Sequence, residues 1–208
     1  MSKKTALDIA KDYIFEKEID PEHLSEEGWE IYDDFGKQKA VGPGLKLSSL
    51  PEEYRDMKVG QKIPKDVVSK AYESRLTSLD DSLTKEFGDV YSELSSHKKV
   101  GVQSLVYNTG QRGFRTGGKS EEFMEENPSY TTKAYKALKG GDLETFRKEA
   151  FDPEVGYVKS GGEVVGGLQT RRAADEAMFM TEEDSGVNIA MNFMKKAELS
   201  GWSQGMRK

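Results

Sequence analysis

Near the start of the chain two pairs of acidic residues stand a short distance apart, Glu26 and Glu27 before Gly28, then Asp33 and Asp34. Two carboxyl groups flanking a bond are what hydrolysis of a glycoside requires. One is held protonated and donates to the leaving oxygen, while the other orients or activates water on the opposite face of the sugar. A glutamate closing a short helix and an aspartate in the hairpin after it would face each other across a cleft. Composition alone gives this pairing little weight, because solvated acidic side chains are common at any surface. Other chemistries have less to build on. The chain has no cysteine, which excludes disulfides and thiolate catalysis. Its two histidines, His23 and His97, lie in different segments with no HExxH spacing around either. Both are expected to face solvent, and no metal or cofactor is expected.

The elements that must position these carboxyls follow from periodicity. Leu7, Ala10 and Ile14 recur at helical spacing, predicting a first helix over about 4–16. Asp20-Pro21-Glu22 is a helix start, with a capping aspartate and proline at the first helical position. Gly28 ends that second helix after about two turns, with Glu26 and Glu27 at its C-terminal end. From Trp29 to Leu50 the glycines are too dense for a helix, and Ile31, Tyr32, Val41 and Leu47 suit the short strands of a small antiparallel sheet. After Pro64 a long helix is marked by Val68, Ala71, Tyr72, Arg75, Leu79 and Leu83. Further helices are expected over about 100–108, 120–126, 131–139, 142–150, 168–180 and 187–199. Gly161-Gly162 and Gly166-Gly167 bracket an irregular loop, and Met178-Phe179-Met180 reads as core. A small sheet followed by many helices is an α+β layout. At 208 residues with 35% hydrophobic side chains, the chain can bury a real core.

Three blocks in order carry a resemblance to a known family. The segment Glu27-Gly28-Trp29-Glu30-Ile31-Tyr32-Asp33-Asp34-Phe35-Gly36 resembles the opening signature of the phage lysozymes, glycoside hydrolase family 24, where a Glu-Gly pair leads through an aromatic to an aspartate and then a glycine. Val41-Gly42-Pro43-Gly44 is similar to the family's apolar-Gly-x-Gly turn. Gln103 to Gly110, followed by Gly113-Phe114, resembles the helix that opens the second lobe. Tyr157 to Phe179, through Gly161-Gly162, Gly167-Leu168, Arg171-Arg172 and Asp175, resembles the terminal block. The resemblance spans about 20–182. It implies a lysozyme-like α+β fold, with a small β-sheet lobe and a larger mainly helical lobe joined by a long helix. The expected organisation is a helical extension (1–17), the lysozyme-like domain (18–182) and a C-terminal helical tail (183–208).

What the resemblance implies for function is a muramidase that hydrolyses the β-1,4 bond between N-acetylmuramic acid and N-acetylglucosamine in bacterial peptidoglycan. Glu27 matches the general acid, with Glu26 as the fallback, and Asp34 matches the aspartate that acts on water. Arg171 matches an arginine beside the catalytic glutamate. A cation there favours ionisation, so burial or repulsion from Glu26 would have to raise the carboxyl's pKa again. Asn108, Phe114 and Tyr157 match substrate-binding positions, and Tyr157 reads equally well as packing. Arg171 and Arg172, at the start of a helix, also read as a structural pair with an acidic partner. The departures concern water. Glu27 and Asp34 have six residues between them where the family has eight, Ser25 stands where an ungapped count puts the acid, Ala40 replaces a threonine and Leu45 a histidine. Two rival readings follow, a lytic transglycosylase working with one glutamate, and a lysozyme-fold virion or wall-binding protein with little or no activity.

The net charge of −6 argues against a nucleic-acid partner, which needs a basic face, and suits an anionic wall polymer less well than a basic protein would. No apolar run reaches the roughly 20 residues of a membrane span, and the first residues do not form a signal peptide. The expected location is the host cytoplasm, with action on the wall after release or delivery in a virion. The tail, with Lys195, Lys196, Arg207 and Lys208, reads as solvated or as a docking segment for virion proteins or the wall.

Overall fold

The computed structural model describes residues 4–34, 38–160 and 163–181, in two compact units. One is Ala10–Asp81; the other holds the described residues among 4–9 and 82–181. The chain crosses the boundary within its first helix and again within its long second helix. The helix expected over 187–199, the Gly161-Gly162 pair and the tail lie outside the described residues.

Helix α1 (Ala6–Glu18) starts on a reciprocal cap. The Asp8 amide donates to Thr5 Oγ1, and the Thr5 amide donates to Asp8 Oδ2. In the first unit Tyr13 and Ile14 are buried, and the Phe15 ring meets Trp29 edge-on and Tyr72 at a tilt. The Asp20-Pro21 start is present, with Asp20 capping the Glu22 amide, but it yields a single 3-10 turn (Pro21–His23) and not two helical turns. The reason lies just downstream. Leu24 bridges to Trp29, and both the Ser25 amide and its hydroxyl donate to the Gly28 carbonyl. The segment 24–29 is thus already folded as a tight turn into the sheet.

That sheet consists of β1 (Trp29–Asp33), β2 (Lys39–Val41), β3 (Leu45–Lys46) and β4 (Lys62–Ile63), all antiparallel in the order β3-β2-β1-β4. Register pairs Ile31 with Val41, Val41 with Leu45, and Trp29 with Ile63, and these five residues form the buried face. Glu30, Tyr32, Ala40, Lys46 and Lys62 point to the other face, because successive strand residues alternate. Gly28 is the residue that lets β4 dock. Its φ is +148°, and a Cβ there would lie 2.3 Å from the Ile63 carbonyl oxygen. Helix α2 (Lys65–Phe87) follows, burying Val68, Tyr72, Leu76, Leu79, Leu83 and Phe87 at steps of three and four.

The second unit is helical apart from one short hairpin. After α3 (Asp89–Ser92) comes α4 (Ser96–Thr116), whose middle, 100–107, is buried all round. The helix expected over 100–108 is therefore the centre of a longer element, which kinks at Gly110. Then follow α5 (Glu121–Glu126), α6 (Lys133–Lys139), α7 (Leu143–Phe151), the hairpin β5 (Lys159–Ser160) with β6 (Glu163–Val164), and α8 (Gly166–Met180). Helix α4 packs on α8 at Gly101, where a Cβ would meet the Phe179 Cβ at 3.0 Å and the Asp175 carbonyl oxygen at 3.1 Å. The architecture is lysozyme-like α+β. Of the expected Met178-Phe179-Met180 core run, the first two are buried and Met180 is 56% exposed, since it lies on the outer side of the last turn.

Candidate active site

The candidate residues divide between the two units. In the sheet unit, Glu27 stands in the Ser25–Gly28 turn, Asp34 follows the last residue of β1, and Ala40 is in β2. Glu27 is thus not at the end of a helix, as expected, but in a turn. Its side chain is 76% exposed, and Lys62 Nζ donates to Glu27 Oε2 at 2.6 Å. That hydrogen bond and the ammonium charge together hold the carboxyl below its ordinary pKa, against a small opposing effect of burial. The raising effect of burial that a proton donor needs is here outweighed by Lys62. Lys62 was not foreseen, and no local signal could have found it, because sheet pairing brings it from 35 positions away.

Asp34 is partly enclosed by its own hairpin. The Gln38 amide donates to Asp34 Oδ1 at 2.8 Å, and the Asp34 amide donates to the Gln38 carbonyl at 2.9 Å. One carboxylate oxygen thus closes the turn. Six residues, Gly28 and the five of β1, lie between Glu27 and Asp34, and β1 alone spans roughly 13 Å. The two carboxyls reach the spacing of about 6.5–9.5 Å used by inverting glycosidases only if their side chains turn toward each other. Ala40 is 2% exposed on the Tyr32 face and offers a methyl and no hydroxyl there. Beside it His23 stacks flat on Tyr32, ring centroids 4.3 Å apart, and the Tyr32 hydroxyl donates to the Gly42 carbonyl at 3.3 Å. Burial raises the Tyr32 pKa. His97 is buried, against the expectation that it faces solvent, and His23 is half-buried.

In the helical unit, Arg172 rather than Arg171 is the fully buried cation. Arg172 and Asp175 are both 0% exposed, with Arg172 Nη1 donating to Asp175 Oδ2 at 2.6 Å. Ser104 Oγ donates to Asp175 Oδ1 at 2.7 Å, and Arg172 Nη2 donates to Asn108 Oδ1. Asn108 is exposed yet tied by its carbonyl to this interior network. Arg171, one residue earlier, is half-buried. The spacing of Arg172 and Asp175, three apart on a helix, was the signal available for this pair.

Phe114, expected at a substrate surface, is 2% exposed in an aromatic cluster with Phe87, Tyr135, Phe146 and Tyr157. A ring closed in on that many sides is packing. Tyr157 is half-buried, and its hydroxyl donates to the Phe114 carbonyl at 2.7 Å and lies 3.0 Å from Thr132 Oγ1. Burial pushes its pKa up to about 12. Of the two readings for Tyr157, these bonds favour the packing one. A cavity of about 600 Å³ borders the same cluster, with Phe87, Val106, Phe114 and Tyr135 among its lining residues.

No protein-family model and no curated protein matches the sequence. Solved structures do match. The active form of the endolysin Lyz of P1 phage superposes with a TM-score of 0.59 at 14% identity, covering 86% of this chain and 84% of that one. The muramidase domain of SpmX from Asticaccaulis excentricus gives 0.55 at 13% identity, covering 84% and 96%. An endolysin from Escherichia coli O157:H7 phage FAHEc1 gives 0.51 at 16% identity, covering 89% and 96%. At such identities the likeness is one of fold.

Proposed function

We propose that this chain, which has the fold of the phage-type lysozymes, is a peptidoglycan-cleaving glycosidase, cutting the β-1,4 bond between N-acetylmuramic acid and N-acetylglucosamine. The observation that carries the reading is the fold itself, together with an accessible glutamate, Glu27, in the turn that enters the sheet. Glu27 donates a proton to the leaving oxygen, and the Asp34 carboxylate acts on water. Asn108 is proposed as a saccharide-contacting amide. Release at lysis or delivery in a virion, with virion proteins as partners, stays an expectation attached to this reading.

A second reading is favoured by one observation. Asp34 uses an oxygen to close its own turn, and Ala40 offers no hydroxyl, so the water-holding half of the site is the weaker half. Cleavage by Glu27 alone, with the sugar's own hydroxyl attacking, needs no held water. Incubation with outer-membrane-stripped bacteria, followed by mass analysis of the fragments, tests both. Reducing ends that vanish in both Glu27→Gln and Asp34→Asn are the expected result, with losses of about 10²–10⁴ in rate for the acid. Anhydro ends that survive Asp34→Asn would support the second reading. Binding to sacculi without any cleavage would leave a wall-binding lysozyme fold.

A further inference from the structure

We propose that Lys62 is a counter-ion latch on Glu27. Its ammonium holds the carboxylate in the free protein, and a saccharide must displace it before Glu27 carries a proton. The proposal rests on the reading of Glu27 as the proton donor.

Three features of the sheet carry it. Lys62 Nζ and Glu27 Oε2 are 2.6 Å apart, a charge-assisted bond. The backbone on both sides of the pair is clamped, since β4 is registered on β1 and the Ile63 carbonyl sits against Gly28 with no room for a Cβ. The backbone positions from which the two side chains extend are therefore fixed relative to each other. Both side chains also reach solvent, Glu27 at 76% and Lys62 at 36%. An ion pair so exposed is held weakly, so the hydrogen bonds of an arriving sugar can open it.

The charged neighbours supply a place for the released ammonium. Glu30 lies directly opposite Lys62 across the β1–β4 ladder, on the same face of the sheet. Glu26 precedes Glu27, and Lys65 and Asp66 open α2. Among the described residues Lys62 is the one bonded to Glu27. When Lys62 swings toward Glu30, Glu27 loses the cation that lowers its pKa. The sign follows directly. A donor's protonated fraction falls as pH rises through its pKa, and the nearby cation lowers that pKa. The latch thus shifts the donor's protonated range to lower pH, and opening it moves that range back up toward the ordinary carboxyl value.

The test compares the full-length chain with Lys62→Met and Lys62→Arg, reading two quantities. One is the Glu27 carboxyl titration followed by carbon NMR without substrate; the other is the pH profile of kcat/KM for lysis of stripped bacteria. The Glu27 midpoint should rise in Lys62→Met and stay in place in Lys62→Arg, and the alkaline limb of the profile should move with it. An unchanged midpoint in Lys62→Met overturns the latch, whatever the enzyme does. A raised midpoint with an unmoved alkaline limb also overturns it, because Lys62 then does not govern the donor. A raised midpoint with no cleavage at any pH in any variant instead sinks the donor reading, and the latch with it.

Discussion

Among the described residues, Arg172 and Asp175 are the fully buried charges, and neither has bulk water to fall back on. A buried ion pair survives by Coulomb attraction and by hydrogen bonds to its remaining polar atoms. Here Ser104 serves Asp175, and Asn108 serves Arg172. Arg172→Ala should therefore cost about 3–5 kcal/mol, since it strands a buried carboxylate. Replacing both members, as in Arg172→Met with Asp175→Leu, should recover most of that loss, because no lone charge remains. Urea unfolding of the three proteins checks this. A single-variant cost under about 1 kcal/mol would mean that Asp175 finds water or a proton instead. Glu27 is the opposite case, an exposed charge whose removal should hardly move the thermal midpoint. The Arg-Arg-x-x-Asp pattern pointed to a charged partnership, but not to which arginine turns inward. Helix α8 decides that, since Arg172 shares the buried stripe with Ala174, Asp175 and Met178.

At the level of elements, Gly28 shows how tightly the entrance to the sheet is built. An alanine there would have to hold φ near +148° and push its Cβ against the Ile63 carbonyl oxygen, 2.3 Å away. Backbone cannot give as a flexible side chain can, so β4 would have to leave β1. Gly28→Ala is expected to lose about 2 kcal/mol or more. It should also break the Glu27–Lys62 contact, visible as a Glu27 carboxyl titrating nearer its ordinary value. A fully stable variant with an unmoved titration would show that the ladder tolerates a Cβ at this point. Some of these elements could be read from the chain. The steps of three and four from Val68 to Leu83 announced α2, and the glycine density after Trp29 announced a sheet. What could not be read were the pairings. A two-residue strand such as β4 has no period to detect, and it becomes visible only through its partner β1. The second helix failed for a related reason, since a good cap at Asp20 cannot propagate a helix into residues already bound as a turn to Trp29 and Gly28.

For the whole molecule, the fold class was legible because dense glycines and helical periodicity mark different stretches of chain, the sheet from Trp29 to Ile63 and most of the helices after it. The candidate site was less so. Residue types at matching positions show which carboxyls are present, whereas exposure, counter-ions and hydrogen bonds decide their protonation. The division into two units makes a prediction of its own. Each unit has its own buried set, Trp29, Ile31, Val41 and Leu76 in one, and Val102, Leu105, Phe114 and Phe146 in the other. Local opening draws on the contacts of the unit in which it happens, so damage should stay where it is made. In native-state hydrogen exchange, Arg172→Ala should speed exchange of amides in α4 and α8 more than in β1 and β2. Gly28→Ala should do the reverse. The amides of α2 are the informative ones, because this helix is continuous across Asp81–Ser82. Its first turns should follow the sheet variant and its last turns the helical one. Equal acceleration in both units by either variant would show that α2 transmits opening along its length, and that the chain unfolds as one cooperative body.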